Sequence, residues 1–192
     1  MRFLLAALLL PASALAADTF ELDPTHTYPS FAVSHMGLSV MQGRFNETRG
    51  SFVLDRKGGH SSVKVTVKVA SLDSGMDSRD QRLLAENFFD AEHYPEMSYV
   101  STGVKFDGDN VSAIEGKLTL HGVTQPLTLA VSAMHCAVHA LKRVWACGFE
   151  ARGTLKRSDY GITAYLPEVG DEVQLRIEAE GQRVDQAPGP RH

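Results

Sequence analysis

Alternation of apolar and polar residues with a period of two is the feature of this chain that most limits its fold. From 63 to 69 every second residue is valine, and the residues between are lysine and threonine. The segments 149–155 and 173–179 alternate in the same way. Successive side chains of a strand point to opposite faces, so this period indicates strands with one buried and one wet face.

Weaker alternation extends the pattern to about eight strands. It occurs in the segments 31–35, 52–54, 97–104, 114–121 and 127–134. An antiparallel all-β protein of this kind is either a closed barrel or a two-sheet sandwich. An eight-stranded barrel is just wide enough to hold one small ligand. Alternation alone leaves open whether such an interior is a cavity or is filled by side chains.

One stretch interrupts the strands and predicts a short helical insertion. Residues 78–92 contain good helix formers after a candidate cap at Asp77 or Ser78. Leu83 and Phe88 would cover one side of this helix. Pro95 would end it, because proline disfavours helix in the residue before it.

Both ends of the chain are predicted to lie outside the folded domain. Residues 1–16 combine a basic start at Arg2, a short apolar run and the triplet Ala14-Leu15-Ala16, as in a secretory signal peptide. The alternative is an uncleaved anchor. A single barrel domain would occupy 17–183, and the polar, Pro/Gly-rich residues 184–192 would form a disordered tail. We therefore expect a periplasmic protein with no integral membrane segment.

The charge of the chain argues against two classes of partner. There are 19 Lys and Arg against 23 Asp and Glu, a formal net charge of −4, without a basic cluster. This balance disfavours nucleic acid and anionic membrane surfaces as partners. It leaves open whether two copies associate as a homodimer.

The two cysteines, Cys136 and Cys147, are predicted to form a disulfide, since two cysteines in an exported chain usually pair. The bond would pin a hairpin between two strands. The alternative is a metal site made of these cysteines with His135 and His139. An oxidising compartment disfavours thiolate ligation, so we predict no metal and no cofactor.

The sequence contains no recognisable catalytic motif. His135 and His139 have the spacing of zinc-protease ligands, but they lie on a predicted strand and hairpin. A Gly-x-Ser-x-Gly motif and a phosphate loop are both missing from the sequence. We therefore predict no catalytic residues.

The start of the predicted helix indicates a ligand site. Arg79 and Asp80 would give a polar mouth above an apolar interior, where the Arg79 guanidinium could meet an anionic or carbonyl head group. The alternatives are a solvated helix cap and ordinary core packing of the aromatic residues. The candidate ligand-binding residues are His26, Phe31, Val33, Arg79, Asp80, Phe88, Phe89 and Tyr94.

Several short motifs occur in order along the chain. They are Asp23-x-x-His26, His35-x-Gly37, Gly43-x-Phe45, Arg79-Asp80-x-x-Leu83, Phe88-Phe89-Asp90, Tyr94-Pro95, the run from Gly116 to Pro126, and Arg157-Ser158-Asp159-Tyr160-Gly161. Together they resemble the YceI-like family of polyisoprenoid-binding proteins from Asp18 to Gly181. The resemblance implies an extended eight-stranded antiparallel lipocalin-like barrel without catalytic residues.

The resemblance also implies a ligand. The expected function is periplasmic binding, transport or storage of a long-chain isoprenoid lipid inside the barrel. The lipid would be a polyprenyl phosphate, an isoprenoid quinone or a similar amphiphile. Two alternatives stay open: an enzyme that acts on such a lipid through His26 or His35, and a structural barrel with a filled core.

Overall fold

The computed structural model describes residues 17–57 and 59–184, so the predicted signal peptide and almost all of the predicted tail lie outside the described residues. The described chain forms eleven strand segments and one α-helix. The strands are β1 (Asp18–Leu22), β2 (Tyr28–His35), β3 (Ser39–Phe45), β4 (Thr48–Leu54), β5 (Ser62–Lys68), β6 (Leu72–Asp73), β7 (Glu96–Asp107), β8 (Asn110–Leu120), β9 (Val123–Val138), β10 (Trp145–Lys156) and β11 (Val169–Arg183), and the helix is α1 (Asp77–Leu84).

The eleven segments build a closed barrel of eight antiparallel strands. β11 pairs with β2 through residues 169–178 and with β1 through residues 181–183, so β1 and β2 form one interrupted strand. β3 and β4 form a second interrupted strand, and β5 and β6 form a third. The pairing of β1 with β11 closes the sheet. The predicted eight-stranded barrel is confirmed, and the sandwich alternative is wrong.

Inward-facing side chains follow the predicted alternation. The valines of β5 and the apolar residues 173–179 of β11 line the interior of the barrel. The core is dense in aromatic rings: Phe20 stacks on Phe52 at 4.7 Å, and Phe149 meets Phe52 edge-on at 5.1 Å. A Cβ atom at Gly181 would lie 2.3 Å from the Phe52 ring, so glycine is required there for the close approach.

The helix is shorter than the sequence predicted. It ends at Leu84, and the prediction that it continues to residue 92 is wrong. After it the backbone turns, with Phe88 N–H bonded to Ala85 O, and Asp90 has a left-handed φ of 47°. Phe88 is buried and Phe89 half-buried against the barrel interior, so tertiary packing overrides local helix propensity.

The hairpin of β9 and β10 carries the disulfide. Cys136 and Cys147 lie directly opposite each other in the register of the two strands and are bonded. The predicted disulfide is confirmed, and the competing thiolate metal site is wrong. Cys147 is almost completely buried and belongs to the core cluster.

A buried carboxylate fastens the turn of this hairpin to the segment between β1 and β2. Asp23, between β1 and β2, accepts hydrogen bonds at Oδ2 from Lys142 Nζ and Gln182 Nε2, each at 2.8 Å. Its Oδ1 accepts from the backbone N–H and the hydroxyl of Thr25. The bond from Lys142, followed by those from Thr25, holds the pKa of the Asp23 carboxyl well below its usual range.

We expect loss of the disulfide to weaken the protein without unfolding it. Replacing both Cys136 and Cys147 by alanine should lower the free energy of unfolding by up to about 3 kcal/mol, because the bond closes a short loop of the unfolded chain. Circular dichroism should still report the barrel. Dithiothreitol should lower the Tm of the wild type and leave that of the double variant unchanged. Free thiols in freshly exported protein, detected by intact mass after alkylation, would contradict the assignment.

The Asp23 cluster predicts a specific dependence of stability on pH. Because its folded pKa is depressed, Asp23 contributes stability above its unfolded pKa of about 3.9 and loses that contribution as the pH falls further. Asp23→Asn should lower the free energy of unfolding by about 1.5–3 kcal/mol at neutral pH. The difference from wild type should shrink below about pH 4 in urea titrations. Asp109→Asn, in an exposed turn, is the matched control and should show neither effect.

Candidate ligand cavity

An apolar cavity of about 230 Å³ runs inside the barrel. All eight strands contribute side chains to its wall, and Leu83, Phe88 and Phe89 contribute from α1 and the turn after it. An apolar cavity of about 150 Å³ already stays dry and binds benzene in another protein. The structural-barrel alternative requires an interior filled by side chains. The cavity shows that the interior is not filled.

The four apolar residues of the predicted site line this cavity: Phe31, Val33, Phe88 and Phe89. The Phe89 ring meets Phe45 edge-on at 5.5 Å and Phe31 at 6.2 Å. The tip of the Phe31 ring packs over Gly43 of β3, where a Cβ atom would lie 2.5 Å from Cζ. These aromatic residues are therefore held in place by packing on both β2 and β3.

Arg79 and Asp80 lie close together at the start of α1 and do not line the cavity. Arg79 donates from Nε to Ser74 Oγ at 2.9 Å and from Nη2 to Ser74 O at 3.2 Å. Asp80 Oδ1 accepts hydrogen bonds from the backbone and hydroxyl of the same Ser74. The pair thus connects the helix to the loop before it, and its contact with a ligand head group stays a prediction.

His26 and Tyr94 lie in two other places. His26 is half-exposed and contacts Asp23 and Thr25 on the outside of the barrel. The Tyr94 ring packs against His121 at 4.8 Å. Among the described residues, no contact joins His26 to Arg79 or Asp80, so the predicted polar mouth is not gathered into one cluster.

The sequence predicted no role for Arg157, which begins the motif Arg157-Ser158-Asp159-Tyr160-Gly161. Arg157 is 6% exposed and is the one charged side chain among the described residues that line the cavity. It donates to three backbone carbonyls, those of Gly170 (2.8 Å), Ile162 (3.0 Å) and Val169 (2.7 Å). Burial lowers the pKa of the guanidinium. These bonds hold the segment that follows β10 against the start of β11.

Tyr99 is a second polar residue of the wall, and its hydroxyl has hydrogen-bond partners in the backbone. Its hydroxyl lies 3.0 Å from Ile114 O and 3.1 Å from Leu127 O. Burial raises the pKa of the phenol to about 12. Tyr99 therefore stays neutral across the physiological range and presents an apolar ring to the cavity.

His26, in the part of the chain that the structure describes, does not have the arrangement of a nucleophile–histidine–acid relay. Thr25 Oγ1 and Asp23 Oδ2 both approach Nδ1 of His26, at 3.0 and 3.3 Å. A nucleophile–histidine–acid relay needs the two partners on opposite ring nitrogens. Within residues 17–57 and 59–184, no group of three or more His, Cys, Asp or Glu side chains could hold a metal ion. In the same ranges, no helix has the length and apolar character needed to cross a membrane.

Comparison with known proteins gives consistent matches along the chain. The YceI-like domain matches residues 20–181. A UPF0312 protein of Photorhabdus laumondii is 37% identical over 183 residues, which cover 92% of this chain and 93% of that protein.

The structure of BcnA from Burkholderia cenocepacia is similar with a TM-score of 0.70 at 23% identity, over 83% of this chain and 98% of BcnA. A polyisoprenoid binding domain from Saccharophagus degradans, implicated in plant cell wall breakdown, is similar with a TM-score of 0.64 at 17% identity, over 86% of this chain and 98% of that domain. The chain belongs to the YceI-like family.

Proposed function

We propose that this protein binds a long apolar lipid inside its barrel and carries or stores it in the periplasm. The observation that carries the proposal is the cavity, whose wall is built by apolar side chains from every strand. One barrel encloses the whole cavity, so a single copy is sufficient for binding and a homodimer is not required.

The energetics of such a cavity favour a long chain. Each CH2 group that leaves water contributes about 0.8 kcal/mol, so ten buried carbons contribute roughly 8 kcal/mol before the costs of binding. The aromatic and branched aliphatic wall suits a methyl-branched isoprenoid chain, as in a polyprenyl phosphate or an isoprenoid quinone. The polyisoprenoid-binding domain of Saccharophagus degradans, which has the same fold, supports this ligand class.

The proposed location rests on two features of the chain. Residues 1–16 have the character of a secretory signal peptide. The Cys136–Cys147 bond is typical of an oxidising compartment such as the periplasm. A carrier in that compartment would shield the lipid chain from water.

Filling the cavity should abolish lipid retention. Val33 lines the cavity, so the indole of Val33→Trp would occupy space that the lipid needs. Overpacking costs about 1–3 kcal/mol, which a barrel of this size can tolerate. Native mass spectrometry of the purified wild type should show a co-purifying lipid, and the variant should lose it.

Val100→Trp is the matched control for this experiment. Val100 is 47% exposed on β7, so the same substitution there should leave lipid occupancy unchanged. If Val33→Trp stays folded and retains full occupancy, the lipid lies elsewhere and the proposed site is wrong.

We also propose that the protein does no chemistry on its lipid, because His26 has both polar neighbours on one ring nitrogen. Incubation with a polyprenyl phosphate and an isoprenoid quinone should give no product detectable by liquid chromatography and mass spectrometry. Turnover that disappears in His26→Ala but survives in His60→Ala, an exposed control, would establish an enzyme instead.

A further inference from the structure

Thr48 is a buried threonine in the mainly apolar wall of the cavity. It is the first residue of β4 and pairs with Val67 of β5, whose side chain also lines the cavity. Its exposure is 3%. Directly paired residues of neighbouring strands share a face of the sheet, so the Thr48 side chain points to the interior.

The hydroxyl of Thr48 has no hydrogen-bond partner among the described residues. The other buried polar side chains that line the cavity all have one. Thr27 contacts the backbone of Glu180, Tyr99 contacts two carbonyl oxygens, and Arg157 donates to three. Thr48 is therefore the exception in a wall that otherwise satisfies its polar groups.

An unpartnered buried hydroxyl is costly, because it loses its hydrogen bonds to water without replacement. Valine has almost the same shape and an equal preference for strands, and it would avoid this cost. Packing therefore gives no reason for an oxygen atom at this position. A hydrogen-bond partner on the ligand would give the reason for this oxygen atom.

We propose that the Thr48 hydroxyl donates a hydrogen bond to a neutral oxygen, a carbonyl or hydroxyl, of the lipid inside the barrel. This inference rests on the proposed lipid-binding function and narrows its ligand class. A hydroxyl can donate to either group. The ligand's polar group then lies within the cavity, beside Thr48 at the start of β4.

The surroundings favour a neutral group over an anion. Burying a phosphate or carboxylate requires charged or multiple hydrogen-bond partners. The one cationic side chain in the described wall, Arg157, already directs Nε, Nη1 and Nη2 to backbone carbonyls. A single hydroxyl can satisfy a ketone or alcohol oxygen, whereas it leaves an anion largely uncompensated.

The test compares two probes of equal chain length, octadecane and octadecan-2-one, delivered from cyclodextrin to delipidated protein. Wild type should retain the ketone more tightly than the alkane. Thr48→Val should lower affinity for the ketone about tenfold, the value of one net hydrogen bond, and leave affinity for the alkane unchanged or higher. Thr128→Val, on the exposed face of β9, is the matched control and should change neither affinity.

Three further experiments separate a hydrogen bond from a change of shape. The carbonyl stretch of the bound ketone should lie at lower frequency in wild type than in Thr48→Val. Delipidated Thr48→Val should melt at or above the wild-type temperature, because it no longer buries an unpartnered oxygen. Thr48→Ser keeps the hydroxyl and should preserve the preference for the ketone, whereas Thr48→Ala should lose it.

Each remaining result counts against the inference in its own way. Equal losses of ketone and alkane affinity in Thr48→Val would show that Thr48 only shapes the cavity. Unchanged affinities with an unshifted carbonyl stretch would show that the hydroxyl does not contact the ligand. If wild type retains neither probe, the lipid-binding function itself is wrong, which is a different result from either of these.

Discussion

The pairing of β11 with both β10 and the β1–β2 strand is the constraint on which the rest of the structure depends. β11 pairs with β10 from Glu172 to Gln182 and, on its other edge, with β2 and then β1. This closure leaves no long free edge in the ring of eight strands, so their backbone groups are satisfied within the sheet. It also directs every second side chain to a shared interior. The apolar cavity is a consequence of closure combined with the choice of residues that face inward.

Glycine and aromatic residues together determine how much of that interior stays open. The tips of the Phe31 and Tyr99 rings pack over glycines of the neighbouring strands, Gly43 and Gly116. A glycine removes the side chain that would otherwise oppose the ring, so the ring can pack against the barrel wall. Large side chains therefore cover the inner surface of the barrel without filling its centre. For this reason alternation alone did not distinguish a cavity from a filled core.

The period of two predicted the features of the fold that depend only on the residues within one strand. It assigned the inward faces of β5, β10 and β11 correctly. It missed β3, where Gly43 takes an inward position and Val40 is 61% exposed, so the hydrophobic alternation is hidden. It also missed β1, which has only five residues. Closure could not be predicted from alternation, because a sandwich and a barrel use the same pattern.

Site residues were predictable only where apolar character alone determines the role. Phe31 and Val33 line the cavity as alternation along β2 requires, and Phe88 and Phe89 line it from the turn after α1. The polar predictions took charged residues near the helix as one group, whereas hydrogen bonds fix Arg79 to its own loop and His26 to Asp23. Thr48 escaped notice because threonine is common in strands, and its importance lies in a missing partner that only coordinates reveal.

Uninterrupted strands form one side of the barrel and interrupted strands form the other, and we propose that this division separates binding of a chain from recognition of a polar group. β7 to β11 are long strands, and the side chains they contribute to the cavity are mainly aliphatic. The three interrupted strands are neighbours, and residues 46–47 and 69–71 at two of the breaks are joined by bonds such as Asn46 N–H to Ser71 O. Breaks in a ladder expose backbone groups that polar side chains must satisfy, so polar residues collect there. Asp23 lies at one break and accepts a hydrogen bond from Lys142, while Thr27 and Thr48 line the cavity beside two of the breaks. In the proposed function, the interrupted side is therefore where the apolar barrel presents an oxygen atom to its ligand without removing a hydrogen bond from a continuous strand.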